Sequence, residues 1–195
     1  QVTFLDGRPL EPDEHEAYER PSVSLERASL YEHCVRAVEV SLGTGAHGLP
    51  LIGTGDWNDG MNLVGAGGRG ESVWLAWFQL AILPRFAALA SARGDEARAA
   101  QYRGHVTRLT ESVEQAWDGE WYKRAYFDDG TPLGSHENNE CRIDAIAQSW
   151  AVIAGAGDPA HARQAMESTD PHLVRRKDGL VLLLTPPFDR MAPSP

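Results

Sequence analysis

From Ser72 to Arg93 the chain reads SVWLAWFQLAILPRFAALASAR and then meets Gly94. Val73, Trp74, Trp77, Phe78, Ala81, Ile82 and Phe86 recur at helical spacing, which predicts one long helix over 72–93, too apolar to lie on a surface and stopped by the glycine. Pro84 removes a backbone donor and predicts a kink within it. Asp95 then stands as the N-cap of a further helix, with Val106, Leu109, Val113 and Trp117 at steps of three and four before Gly119. Its other face, carrying Arg98, Arg103, Arg108 and Glu111, is expected in water.

The same reasoning places a helix from Ser24, as N-cap, along Leu30, Cys34, Ala37, Val38 and Leu42 to Gly43. A fourth covers Arg142 to Ala154 through Ile143, Ile146, Ala147, Trp150 and Ala151, and a fifth opens at Asp158-Pro159. Between them WYKRAYFDDGTPL, 121–133, alternates aromatics and then offers Asp129-Gly130 for a tight turn, a hairpin signal. LVLLLTPPFDR near the end is bounded by prolines and reads as a buried strand or extended segment. Residues 1–22, acidic and punctuated by Pro9, Pro12 and Pro21, read as an extended arm or connector, 23–190 as the folded body and 191–195 as a tail. The expected class is an all-α array with its function on long loops.

Composition narrows the partners. Eighteen basic against 28 acidic residues give a net charge of −10, and the longest basic run is Arg175-Arg176-Lys177, so no footprint for nucleic acid is present. No stretch of eighteen consecutive apolar residues marks a membrane span, and the amino terminus lacks an export-signal layout. Cys34 and Cys141 have no metal or disulfide-framework spacing and suit separate thiols in a reducing compartment. A first residue Gln1 and an end at FDRMAPSP suggest a fragment of something longer.

The chemistry concentrates in GAHGLPLIGTGDWNDGMNLVGAGGRGE, residues 45–71. Glycine lets backbone and ligand approach closely, Trp57 offers a flat apolar face for a pyranose ring, and Asp56, Asn58 and Asp59 offer forked polar groups for hydroxyls. Together these describe a sugar subsite. Asp56 and Asp59 lie three apart, so one can serve as a hydrogen-bonding anion while the other is kept protonated as an acid; spacing alone leaves open which. The plain alternative is a glycine-rich connector whose aspartates cap the next helix. A calcium loop fails, because Gly60 and Gly67 fall where ligands are required. GAGGRG matches the dinucleotide pattern but lacks the preceding buried strand.

Other groups weigh less. Glu140, Arg142, Asp144 and Gln148 lie near one helix start and are candidate cavity residues, with Asp144 and Gln148 the ones retained against the reading of a plain solvated face. Trp150 is assigned to packing. The seven histidines show no metal-ligand spacing; His47 precedes the aspartate loop as a possible loop-orienting group or an ordinary polar residue. Trp117, Trp121, Tyr122, Tyr126 and Phe127 are assigned to packing.

YEHCVRAVEVSLGTGAHGLPLIGTGDWNDGMN, RGESVWLAWF, AWDGEWYKRAYFDDGTPLGS, ECRIDAIAQSWAVIAGAGDP and LVLLLTPPFDR, in that order from Ser24 to Arg190, resemble family 94 glycoside phosphorylases, and within them the branch that forms the carboxy-terminal module of cyclic β-1,2-glucan synthases. The resemblance implies part of an (α/α)6 barrel, with Asp59 as general acid and Asp56, Trp57 and Asn58 at the wall of the donor-sugar subsite. It implies no cofactor and no metal, with inorganic phosphate as co-substrate and nucleophile, so that one carboxyl suffices for inverting cleavage of a β-glucan oligosaccharide to α-glucose 1-phosphate. It further implies a bacterial parent anchored in the inner membrane, with this module on the cytoplasmic side and the rest of that polypeptide as partner. The family's phosphate-holding residues follow the TPPFDR motif, so the chain by itself is expected to be inactive or nearly so. Two rival functions are an inverting hydrolase, which needs a second carboxylate about 6.5–9.5 Å from the acid, and a non-catalytic module that binds or measures glucan.

Overall fold

The computed structural model describes residues 1–9, 11, 14, 17–190 and 195. The remainder of the expected arm (10, 12, 13, 15 and 16) and most of the expected tail (191–194) lie outside the described residues. Two compact units divide the chain, Gln1–Gly43 and Thr44–Pro195.

In the first unit, β1 (Val2–Asp6) pairs antiparallel with β2 (Ser22–Ala28), joining Val2 to Ala28 and Asp6 to Ser22 across an irregularity between Thr3 and Leu5. This corrects the expectation of a helix from Ser24. The helix α1 (Leu30–Val40) begins after the strand, because the Ser29 hydroxyl accepts the Glu32 N–H at 3.1 Å and so caps it. It ends at Ser41, whose hydroxyl donates to the Val38 carbonyl at 2.7 Å, two residues before the anticipated glycine stop. Phe4 stacks on His33 with centroids 3.7 Å apart, and the Arg36 guanidinium lies 4.3 Å from the Phe4 ring centre. Leu30 and Cys34 are exposed and Val35 is the buried residue of the helix, so the anticipated stripe is not a core face within this unit.

In the second unit α2 (Val73–Ala92) and α3 (Glu96–Glu114) pack side by side, α2 packs on α4 (Ala145–Ala154), and α4 on α5 (Pro159–Leu173). Local chemistry sets their bounds. The Ser72 hydroxyl caps α2 by accepting the Leu75 N–H at 3.0 Å, Gly94 takes φ +78° to end that pair's turn, Asp95 caps α3, and Asp158 caps α5 ahead of Pro159. By length and composition α2 suffices to cross a membrane, yet half of it is buried here and Trp77, Leu80 and Leu83 are within the interior. It is the hub of a core completed by Leu109, Val113, Tyr122, Ile143, Ala147 and Leu173. Trp117, Trp121, Tyr122 and Tyr126 pack in or against that core and Phe127 against a second apolar cluster, as their assignment to packing expected.

The helical content and the hairpin agree with expectation, and several further two-residue strands accompany them. β3 (Glu71–Ser72), β4 (Ala125–Tyr126) and β5 (Pro132–Leu133) form one small antiparallel sheet, whose β4–β5 hairpin turns through Gly130 at φ +85°. β6 (Ile143–Asp144) pairs with β9 (Leu184–Thr185), and β7 (Val174–Arg175) with β8 (Leu180–Val181). The fourth helix therefore starts three residues later than its apolar pattern suggested, since Ile143 and Asp144 are drawn into pairing with the proline-rich segment. Leu180 and Val181 are exposed, while Leu182 packs against the main core and Leu184 and Phe188 against the second cluster, so the expected buried strand is buried only in part. Short connections, 93–95 and 155–158, join the helices at one end. The long segments 44–72, 115–144 and 174–190 emerge at the other, which gathers the chemistry-bearing loops there.

Candidate active site

The floor beneath the aspartate loop is the second apolar cluster, Ile52, Met61, Val64, Ala125, Leu133 and Cys141, with Phe127, Leu184 and Phe188 against it. Ile52 donates its N–H to the Gly70 carbonyl at 2.9 Å, so the loop leaves and returns through one neck. A side chain at Gly65 would collide there: its Cβ would stand 2.4 Å from the Ile52 side chain and 2.8 Å from the Gly53 carbonyl. The GAGGRG stretch has its own occupant, because the N–H groups of Gly67, Arg69 and Gly70 donate to the Asp128 carboxylate at 2.6, 2.7 and 2.9 Å. Burial acts to raise the Asp128 carboxyl, and these donors outweigh it and hold it below its usual range. The backbone arrangement that cradles a phosphate elsewhere is here closed by a side chain of the same unit.

Asp56 points inward. Its carboxylate is fully buried and accepts four hydrogen bonds: the two Arg124 Nη groups at 2.7 and 2.6 Å, the Ser72 hydroxyl at 2.5 Å and the Asn58 N–H at 3.1 Å. Arg124 is also wholly buried, and its Nε faces Asp144 Oδ2 at 3.6 Å with neither atom hydrogen-bonded among the described residues. One guanidinium thus serves two carboxyls unequally. Burial pushes Asp56 up, but the fork from Arg124 together with Ser72 and Asn58 more than offsets it and leaves Asp56 lowered. Asp144, buried and at the greater distance, is raised by burial, against the pull of Arg124 and the N–H groups of Ile146 and Ala147.

The signs of these two shifts oppose each other. A carboxyl whose folded-state pKa is depressed contributes stability that is present above the unfolded value, about 3.9, and is lost as pH falls through the folded value. Asp144 costs stability as pH rises from about 3.9 toward its raised value. Asp56→Asn is accordingly expected to destabilise by about 3 kcal/mol at neutral pH, the scale for breaking a buried ion pair. Denaturant titrations should show that deficit shrinking below about pH 4; a deficit independent of pH would refute the ionic account.

With Asp56 anchored, the loop exposes Trp57 beside it. Trp57 is 55% exposed. The Asn58 side chain accepts the Gly60 N–H at 3.0 Å and caps a single 3-10 turn, Asp59–Met61, whose Met61 is driven into the apolar floor. Asp59 opens that turn; its side chain lies outside the described residues. Gln148 is fully buried, and its amide pairs with both the N–H and the carbonyl of Tyr122, at 2.8 and 2.9 Å. Asp144 caps α4 through the Ile146 N–H at 2.7 Å. The structure brings Asp56 and Asp144 together through Arg124, while Gln148 lies beside the backbone that carries Arg124. Glu140, buried, accepts the N–H groups of Asp189 and Arg190 at 3.0 and 2.6 Å and so ties down the end of the TPPFDR segment.

Arg124 was not legible in the sequence. It sits in YKRAY as an ordinary basic residue, 68 positions from its partner, and the one local hint is the spacing of Gly134, whose Cβ would stand 2.5 Å from the Arg124 nitrogen. His47 does orient the loop: Nδ1 meets the buried Glu71 carboxylate at 2.5 Å, and the ring stacks on Tyr126 with centroids 3.8 Å apart. Among the described residues, His, Cys, Asp and Glu form no group of three or more suited to a metal ion.

A helical unit whose long loops converge on a tryptophan, an asparagine and an aspartate held by a buried arginine is the setting in which the comparisons fall. The chain belongs to the glycosyl hydrolase 94 superfamily, whose catalytic-domain model matches residues 9–194. Over its whole length it is 47% identical to the cyclic beta-(1,2)-glucan synthase NdvB of Rhizobium meliloti (strain 1021), of which it spans 7%. Over 88% of its length it is 35% identical to a 3-O-beta-D-glucopyranosyl-beta-D-glucuronide phosphorylase of Paenibacillus borealis, spanning 22% of that protein. Over 82% it is 37% identical to a solabiose phosphorylase of the same organism, spanning 21%. The chain therefore spans less than a quarter of each of these relatives, and it is a phosphorylase-like domain related to a glucan synthase and to disaccharide phosphorylases.

Proposed function

We propose that the intact protein carrying this domain cleaves β-linked glucan, of β-1,2 linkage, by inverting phosphorolysis, with Asp59 as the general acid and inorganic phosphate as the nucleophile. The observation that carries this reading is the anchoring of Asp56 on Arg124. It commits the first aspartate of the loop to the interior and leaves Trp57 exposed, with Asn58 capping the turn that Asp59 opens. A single acid is then sufficient, because phosphate is already anionic and needs no general base. In this reading Trp57 and Asn58 hold the donor sugar. Asp56 and Asp144 position the loop through Arg124, and Gln148 acts through the Tyr122 backbone.

The helix pairs α2–α3 and α4–α5, short-linked at one end and long-looped at the other, fit consecutive pairs of an (α/α)6 barrel, with phosphate contacts supplied by the remainder of the polypeptide. The relationship to NdvB supports β-1,2-glucan as substrate and a bacterial synthase parent in the inner membrane with this domain on the cytoplasmic side. The deciding experiment is a product assay on the intact protein with β-1,2-glucooligosaccharides. Glucose 1-phosphate should form only when phosphate is supplied; release of free glucose at the same rate without phosphate would overturn phosphorolysis in favour of hydrolysis.

A further inference from the structure

A cavity of 410 Å³ opens between the GAHG turn, the GAGGRG turn and the tip of the β4–β5 hairpin. Its lining includes His47, Leu51, Arg69, Phe127, Asp129 and Gly130, and Trp57 is not part of it. Its volume falls in the range of small-molecule sites.

The cavity is built rather than incidental. Glu71, buried under it, accepts the N–H groups of His47 and Leu49, each at 3.0 Å, besides His47 Nδ1. Gly45 is required for that carboxylate to fit, since a Cβ there would stand 2.5 Å from it. Nδ1 of His47 is committed to Glu71 and one ring face to Tyr126, and the residue lines the cavity. This carboxylate–imidazole arrangement fixes the ring's orientation. Around it stand the exposed Arg69 as donor, Asp129, whose Oδ1 accepts the Thr131 N–H at 2.9 Å and whose carboxylate has a second oxygen as acceptor, and the half-buried Phe127 as an apolar group.

The charge balance selects the ligand. Glu71, Asp128 and Asp129 set three carboxylates against the one guanidinium of Arg69, which disfavours an anion such as phosphate. Mixed donors and acceptors around one aromatic edge suit a neutral polyhydroxylated ring. Leu51, Arg69 and Glu71 of the lining flank the Ile52–Gly70 neck from which the loop that bears Asp59 leaves. We infer that this cavity is an additional sugar subsite that binds a glucosyl unit of a longer β-glucan remote from the bond being cut. The inference rests on the proposed function for the identity of the chain it holds.

Arg69→Met and Asp129→Asn test it, both at exposed positions where substitution leaves folding intact. Calorimetric titration of the intact protein with a long β-1,2-glucooligosaccharide, and separately with the β-1,2-linked disaccharide, should show Arg69→Met weakening the long chain about tenfold, the size of one lost charge-assisted hydrogen bond. The disaccharide should be little affected, and kcat/KM for long over short substrates should fall by the same factor. Equal weakening of both ligands, no change for the long chain, or no binding of it by the parent protein would each overturn the subsite. If instead long-chain binding weakens in the variants but no glucan yields glucose 1-phosphate, the proposed reaction fails and the subsite stands.

Discussion

Asp59→Asn in the intact protein is expected to lower phosphate-dependent release of glucose 1-phosphate by a factor of about 10²–10⁴, the range for losing a positioned general acid. The amide keeps the size and polarity of the side chain and stays at the start of the 3-10 turn Asp59–Met61, so Met61 remains seated among Ile52, Val64 and Leu133. What it cannot do is deliver a proton to the departing glycosidic oxygen. The loss should therefore depend on the leaving group: a glucosyl donor whose leaving group is a weak base needs little protonation and should retain most of its rate. Measuring kcat/KM of parent and variant on a natural glucan and on an activated donor separates this from a folding or binding defect. A loss of equal size on both donors, or no loss on the glucan, would remove Asp59 from the role of acid.

Replacing Arg124 by Leu is expected to cost about 3–5 kcal/mol of stability, because breaking a buried ion pair from one side strands the charge on the other. Two carboxyls depend on this guanidinium. Asp56 would keep only the Ser72 hydroxyl and the Asn58 N–H, and Asp144 would lose the cation 3.6 Å from Oδ2. Arg124→Lys should recover part of the loss, since an ammonium supplies charge but not the two parallel donors at 2.7 and 2.6 Å. Denaturant unfolding followed by tryptophan fluorescence reads the shift in midpoint. A change below about 1 kcal/mol, the scale of an exposed pair, would mean that Arg124 is not the anchor described here.

Both substitutions act on the same loop from opposite sides, one on the chemistry it presents and the other on what holds it. The residues that present are adjacent in sequence, and the spacing of glycine, tryptophan and aspartate made them visible. The residues that hold are not. Glu71 and Ser72 come from one segment and Arg124 and Asp128 from another, more than fifty residues on, and each looks unremarkable in its own neighbourhood.

The sequence by itself determined the helices that have a complete local signature. α2 and α3 follow from apolar spacing with Ser72, Gly94 and Asp95 at their ends, α5 from Asp158-Pro159, and the hairpin from Asp129-Gly130, because caps, turns and periodicity act over a few residues. Wherever a distant strand competes for the same backbone, local pattern fails: Ser22–Ala28 pairs with the amino-terminal strand instead of starting a helix, and Ile143-Asp144 pairs with Leu184-Thr185. The same division runs through the site. That Gly53–Asn62 is a sugar-facing loop follows from its composition, but only the folded chain directs the Asp56 carboxylate inward, because a partner 68 residues away competes for it more strongly than solvent does. Pairing across such separations is paid for by burial, which no local window of the sequence contains.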